Sequence, residues 1–304
     1  MKIAFFEIKP EEKTFFEQNL KNQELYFFEE TINEYAGSAD FDVISVFIHS
    51  KLDKNVLDKF KNLKYIQTRS TGVDHLDLEE IYKRGLFASN VVGYAGPCVS
   101  EFAFSLLLEA LRKTYIAIQR VKNGDLYYSD LKGSEIQGKR IGILGLGTIG
   151  THIAQIAKGF GVQSIIGFNR SKKLIEGVEY TDNLEYTLRN SDILFIALPL
   201  TKSTKNLINS ENITFFDGNI IINPARAEII SFEVYNSFEG IIAADVLPDW
   251  NLAKKENIIA TPHMAYYTKE ALFRIMEISL ENIKDFINGK KPRNCLKIFY
   301  EKEK

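Results

Sequence analysis

A chain of 304 residues is too long for one ordinary domain of about 100–200 residues and fits two, or one large α/β unit. Its 45% hydrophobic and 26% charged residues match folded globular proteins, which excludes a disordered or fibrous chain. A formal net charge of −2 points to neither nucleic acid nor an anionic membrane as partner.

No apolar run approaches the roughly 18–20 residues that a membrane helix needs, so no membrane partner is expected. The opening MKIAFFEIKPEEK turns acidic before a signal-peptide core could form, so a cytoplasmic location is expected. Cys98 and Cys295 stand far apart, without CxxC spacing or a neighbouring histidine pair. Two reduced structural thiols are expected, with no metal site and no disulfide framework.

In chain order, KIAFF, LYFF, VISVF and KYIQT read as strands, with helix-like segments such as residues 10–21 between them. After Pro97 the stretch VSEFAFSLLLEALRKTYIAIQRV contains no Gly or Pro and predicts one long buried helix. A second strand series follows: RIGILG, SIIGF, DILFIAL, NIIIN, GIIAADV and NIIAT. Such nearly continuous Ile/Leu/Val runs are buried on both faces of a parallel sheet, and the gaps between them supply the crossover helices.

The sharpest local signal is GLGTIG, Gly145 to Gly150, between the strand RIGIL and the helical pattern THIAQIAKGF. Gly145 permits a tight turn, Gly147 lets a pyrophosphate approach the backbone, and Gly150 lets helix pack on strand. Free amides at the helix start, Thr148 and Ile149 among them, then face the phosphates. At the end of the next strand, IIGFNRSKK places Asn169 and Arg170 where a ribose-binding carboxylate belongs. Asn169 does not repel a 2′-phosphate, and Arg170, Ser171 or Lys172 can bind one, so NADP(H) is preferred and NAD(H) remains open.

Reducing a carbonyl by hydride transfer needs a proton donor near neutral pH. His152 falls in the first turn of the dinucleotide helix, and His49 and His75 fall at strand ends or loops. His263 follows Pro262 at the end of the last strand, on the carboxyl edge where ligands of such sheets bind.

Together, TPHMAYYTKEA (261–271), INPARAEI (222–229), STGVDHLDL (70–78), ALPLTKSTKNLIN (197–209) and GLGTIG resemble the D-isomer-specific 2-hydroxyacid dehydrogenases, in that family's order. HMAYYTKEALFRIMEISLENI is most similar to the D-lactate dehydrogenase branch. The resemblance implies two doubly wound parallel-sheet domains, a Rossmann dinucleotide-binding domain over 95–264 inserted into a flavodoxin-like substrate domain over 1–94 and 265–304. It also implies a homodimer, helices 97–122 and 268–288 that cross between domains, and an active site in a cleft.

By the same resemblance, Arg226 binds the substrate's carboxylate and keto oxygen, and His263 protonates the carbonyl. Asp245 lies beside the nicotinamide. The amides of Thr71 and Gly72 receive the carboxylate, Tyr94 and Tyr266 line the substrate pocket, and Pro199 and Thr204 of the ALPLTKSTKNLIN motif belong to the cofactor site. Two positions depart from the family pattern. Ala227 replaces a usual glycine, and Trp250 stands where a glutamate normally supports the histidine; either Asp249 takes that part, the reading preferred, or the histidine lacks its carboxylate. The expected activity is reduction of a small 2-oxoacid, pyruvate first, to the D-2-hydroxyacid. Formate or phosphite oxidation and a non-catalytic, dinucleotide-sensing regulator are the alternatives on the same scaffold.

Overall fold

Strands that are apolar at every position must be covered on both sides, and both strand series meet that demand by forming all-parallel sheets flanked by helices. The structure is a computed structural model and describes residues 1–37 and 40–296. Contacts divide the chain into two compact units, Met1–Tyr94 with the chain from Lys269 onward, and Ala95–Thr268.

In the first unit β1 (Lys2–Phe5), α1 (Pro10–Asn19), β2 (Glu24–Phe27), β3 (Val43–Val46), α2 (Lys54–Leu57), β4 (Tyr65–Thr68), α3 (Leu78–Lys83) and β5 (Phe87–Ser89) follow one another. Their sheet is parallel throughout, in the order β2-β1-β3-β4-β5, the flavodoxin-like arrangement. Buried Ile3, Phe5, Val43 and Tyr65 on one face pack with Phe16 of α1 and with Met276, Leu280 and Ile283. Those last three lie on α9 (Lys269–Ile287), which is why the C-terminal helix belongs to this unit.

The second unit runs α4 (Gly96–Arg112), α5 (Thr114–Lys122), β6 (Arg140–Leu144), α6 (Thr148–Gly159), β7 (Ser164–Phe168), β8 (Glu179–Thr181), α7 (Leu184–Arg189), β9 (Ile193–Ile196), β10 (Ile220–Asn223), α8 (Phe232–Ser237), β11 (Ile241–Ala244) and β12 (Ile258–Ala260). Its sheet has the order β12-β11-β10-β9-β6-β7-β8. The order reverses between β6 and β9, and this switch point is where a doubly wound sheet opens a crevice at its carboxyl edge. The expected fold class is borne out.

Three sequence expectations change. The single long helix after Pro97 is two, because Lys113 adopts a left-handed conformation with φ 52°. The Glu109 carboxylate stabilises the break by accepting from Thr114 Oγ1 and from the Tyr115 amide. The edge strands β5 and β8 escaped the sequence pattern, since their three residues each, FAS and EYT, mix polar with apolar side chains and show neither an apolar run nor a period. Finally, the chain leaves the second unit at Thr268, four residues beyond the expected 264, because Met264 and Ala265 are fastened to Asp245 inside that unit.

Candidate active site

In the first unit, the carboxyl ends of β1, β3 and β4 converge on a buried cation. Arg69, 1% exposed, donates from Nη1 to Ser45 Oγ (3.1 Å) and from Nη2 to the carbonyls of Phe6 and Glu7 (both 2.8 Å). Burial pulls its pKa below the ordinary value, against the opposing charges of Glu12 and Glu7. This anchor fixes the start of the turn Ser70-Thr71-Gly72. Ser70 O accepts from Val91 N (2.9 Å), Thr71 O from Asn90 Nδ2 (2.8 Å) and Gly72 O from Ser70 Oγ (2.7 Å), while Thr71 Oγ1 donates to Val91 O (2.7 Å). The carbonyls are all engaged, whereas among the described residues the amides of Thr71 and Gly72 have no acceptor. Amides left open in this way attract an anion. Tyr94, 6% exposed, closes the unit's first segment, and its carbonyl accepts from Arg274 Nε of α9 (3.1 Å).

In the second unit, the three glycines of the turn after β6 are each required by a different constraint. Gly145 has φ +99°, and a Cβ there would sit 2.6 Å from Ala197 O. A Cβ on Gly150 would lie 1.9 Å from Gly145 O, so helix α6 can approach β6 only without a side chain. Gly147 faces open space, with nothing within 4 Å of a built Cβ. The amides of Thr148, Ile149 and Gly150 open the first turn of α6 and so have no intrahelical acceptor. The loop therefore fits a dinucleotide: bare backbone over Gly147 leaves room for a pyrophosphate, and the helix terminus supplies donors.

Across the switch point, the loop after β9 is tied by Thr204, whose Oγ1 donates to Pro199 O (2.6 Å) and accepts from Thr201 N (2.8 Å). After β7, Asn169 Oδ1 accepts from Leu146 N (3.2 Å) and Asn169 Nδ2 donates to Ser171 O (2.8 Å). Its amide thus fastens the glycine turn to the adjoining loop. Arg170 and Ser171 are exposed beside it. Lys173, overlooked by sequence reasoning, which named Lys172, reaches Leu146 O with its Nζ (2.8 Å).

The carboxyl edge of β10, β11 and β12 carries the remaining residues. Asp245, 1% exposed, accepts from Thr261 Oγ1 (2.6 Å) and Met264 N (2.9 Å) through Oδ1 and from Ala265 N (2.9 Å) through Oδ2. Its carbonyl accepts from His263 N (2.8 Å). Wrapped around this carboxylate, His263 adopts φ 55°, the left-handed region that a histidine occupies only when its surroundings impose it. The Tyr266 ring stands edge-on to the imidazole at 5.9 Å. Arg226, half-buried, follows β10, where Asn223 Nδ2 holds its carbonyl (2.9 Å). Ala227 is buried at 2% exposure, so the methyl in place of a glycine is accommodated.

Asp249 departs from expectation. Its Oδ1 accepts from the amide (2.9 Å) and Nδ2 (3.0 Å) of Asn251, capping the 3₁₀ turn Trp250–Lys254, and it makes no hydrogen bond or ion pair with His263. A short Asp side chain ahead of a helical turn satisfies the nearest free amide, and that local bond holds it at the turn. The carboxylate that organises the histidine segment is Asp245, four residues earlier.

Residues 104–265, more than half of the chain, match the model of the D-isomer specific 2-hydroxyacid dehydrogenase NAD-binding domain. The glyoxylate reductase of Thermofilum pendens is 33% identical, covering 83% of this chain and 80% of the relative. The chain belongs to the D-isomer specific 2-hydroxyacid dehydrogenases. A D-lactate dehydrogenase of Curvularia clavata is 31% identical over 84% of the chain and 81% of that protein. Among solved structures, the D-lactate dehydrogenase of Aquifex aeolicus complexed with NAD and lactic acid superposes with a TM-score of 0.85 at 28% identity, covering 94% of this chain and 96% of that one.

Two of the three glycine constraints separate experimentally. Gly150→Ala is expected to lower stability by about 1–3 kcal/mol, the usual cost of overpacking. Gly147→Ala is expected to leave the thermal midpoint in place and weaken nicotinamide-dinucleotide binding. Thermal unfolding and cofactor-fluorescence titration check both, and a matching loss of stability in the two variants would refute the division of roles.

Proposed function

We propose that the chain reduces a small 2-oxoacid to the D-2-hydroxyacid and prefers NADP(H) to NAD(H). The observation that carries the first half is the strained His263 turn gathered around the buried Asp245 carboxylate, on the sheet edge that also bears the glycine cradle. When bound, the nicotinamide supplies the hydride. Arg226 offers a planar fork of donors that holds the carboxylate and polarises the keto oxygen. The imidazole of His263 delivers the proton to that oxygen during reduction and removes it during oxidation. Tyr266 limits the space beside the imidazole, and Tyr94 contributes to the substrate pocket. In the first unit, the open amides of Thr71 and Gly72 offer donors to a carboxylate.

Asp245 acts chiefly by holding the histidine segment, since both its oxygens are engaged there. Pyruvate, glyoxylate and hydroxypyruvate are the first substrates to test, because relatives at 31–33% identity are named for D-lactate, glyoxylate and hydroxypyruvate chemistry.

The cofactor preference is supported by the end of β7. No carboxylate stands there to bind a ribose diol or repel a phosphate, Lys173 Nζ reaches Leu146 O of the glycine turn, and exposed Arg170 follows Asn169.

A homodimer is the assembly we propose. Helix α5 has no buried residue, and Ile118, Leu126, Tyr127 and Tyr128 on it and just beyond it are exposed, Leu126 and Tyr128 at 77%. An apolar patch of this kind marks an interaction surface, and a second copy of the chain is its occupant.

Four measurements test these readings. NADPH and NADH absorbance followed with a panel of 2-oxoacids, formate and phosphite is expected to show turnover with the oxoacids. His263→Ala should then lower kcat by about 10²–10⁴ while cofactor affinity stays within a few-fold; unchanged turnover would remove His263 from the chemistry. Arg170→Asp is expected to weaken NADPH much more than NADH, as read by the two Kd values, and equal losses would contradict a phosphate contact. Light scattering of the Leu126→Glu/Tyr128→Glu variant should give the mass of one chain where the parent gives two, and a parent already of single mass would overturn the dimer.

A further inference from the structure

Beside the Ser70-Thr71-Gly72 turn, two hydroxyls and an imidazole form a row that ends on a backbone carbonyl. Ser70 Oγ donates to Gly72 O (2.7 Å), Thr68 Oγ1 lies 2.8 Å from Ser70 Oγ, and His75 Nε2 lies 2.9 Å from Thr68 Oγ1. A carbonyl only accepts, so the single Ser70 proton is directed at Gly72. Ser70 Oγ must then accept from Thr68, and Thr68, its own proton used, must accept from His75. The row satisfies all of its members only when His75 carries a proton on Nε2. A proton on Nδ1 alone would set two lone pairs against each other within the row.

The far end of the row determines where an amide points. In a trans peptide the carbonyl and the next residue's N–H point in opposite directions, so fastening one aims the other. Val91 N on Ser70 O aims the Thr71 amide, and Asn90 Nδ2 on Thr71 O aims the Gly72 amide. The third peptide, which carries the Val73 amide, is aimed by Ser70 Oγ on Gly72 O, and hence by the row that starts at His75. Thr68 and Ser70 are buried, at 0% and 3% exposure, so bulk water is a poor replacement for a missing member. The backbone at His75 is secured independently of the imidazole, because Leu52 N donates to His75 O (2.9 Å) and Leu76 is buried in the core.

We propose that His75 is a positioning residue for the substrate carboxylate: its Nε2–H drives the Thr68–Ser70 row and so orients the Val73 amide as a third donor beside those of Thr71 and Gly72. The proposal rests on the reading of this turn as the carboxylate seat. A carboxylate offers two oxygens with about four acceptor sites, enough for three amide donors.

The test uses the full-length enzyme with NADPH and its best 2-oxoacid. His75→Leu is expected to raise KM for the oxoacid roughly five- to tenfold, the worth of one neutral hydrogen bond, with kcat and the NADPH Kd within about twofold. His75→Gln keeps an N–H donor at similar reach and should return KM to within about twofold of the parent. Ser70→Ala should raise KM alike, and the double variant Ser70→Ala/His75→Leu should add nothing, as members of one row do. An unchanged KM in His75→Leu, or losses that simply add, would overturn the proposal. Long-range ¹⁵N–¹H spectra of the parent give the His75 tautomer without any turnover: Nε2–H supports the row and Nδ1–H overturns it. A parent that reduces no 2-oxoacid would overturn the carboxylate seat itself, while the tautomer still decides whether His75 drives the row.

Discussion

A single buried carboxylate holds the carboxyl edge of β11 and β12 together in the second unit. Charged oxygens withdrawn from water are tolerated only when donors replace the lost hydration, and Asp245 has the Thr261 hydroxyl and the amides of Met264 and Ala265. Meeting that demand folds Thr261–Ala265 into a tight loop around it. The loop is what forces His263 to φ 55°, a conformation costing on the order of 1–3 kcal/mol that nothing local in a histidine would choose. The strain and its compensation are thus two sides of one contact. The same contact sets how far the chain stays with the second unit before α9 joins the first.

Both sheets turn the same general property to different use. Parallel strands end together, so loops after neighbouring strands gather on one edge. In the first unit this edge assembles Arg69, the Ser70-Thr71-Gly72 turn and the Thr68–Ser70–His75 row. In the second it assembles the glycine cradle, the Pro199–Thr204 loop and the histidine segment. Each assembly is held by side chains bonding to backbone groups, which leaves particular amides open: those of Thr71 and Gly72 in one, those at the start of α6 in the other.

Features imposed by steric necessity were legible in the sequence. Gly145 and Gly150 leave no room for a methyl, and the all-apolar runs could be nothing but two-sided strands, so the fold class and the cradle follow from the residues. Features that depend on a choice between hydrogen-bond partners were not. Asp249 sits one residue from the family's glutamate position, yet its Oδ1 accepts from the Asn251 amide; spacing alone cannot rank such partners. The break at Lys113 is similar, because the Glu109 side chain that stabilises it lies within an otherwise continuous helical pattern. Arg69 did leave a signal: an arginine directly after the buried strand YIQT has to find acceptors inside the protein. Lys173 left none, since its contact with Leu146 O arises from the path of a loop.

Asn169 occupies two roles at once. Its amide oxygen receives Leu146 N inside the phosphate-binding turn, and its NH₂ group fastens the strand-end loop through Ser171 O. Replacement there therefore cannot be made without also disturbing the shape of the glycine turn. An evolving lineage would have to change this position and the turn together, whereas exposed Arg170 next door is free to vary with little effect on the turn. The neighbouring residues thus differ in evolvability: one is tied to the architecture of the turn, the other is not.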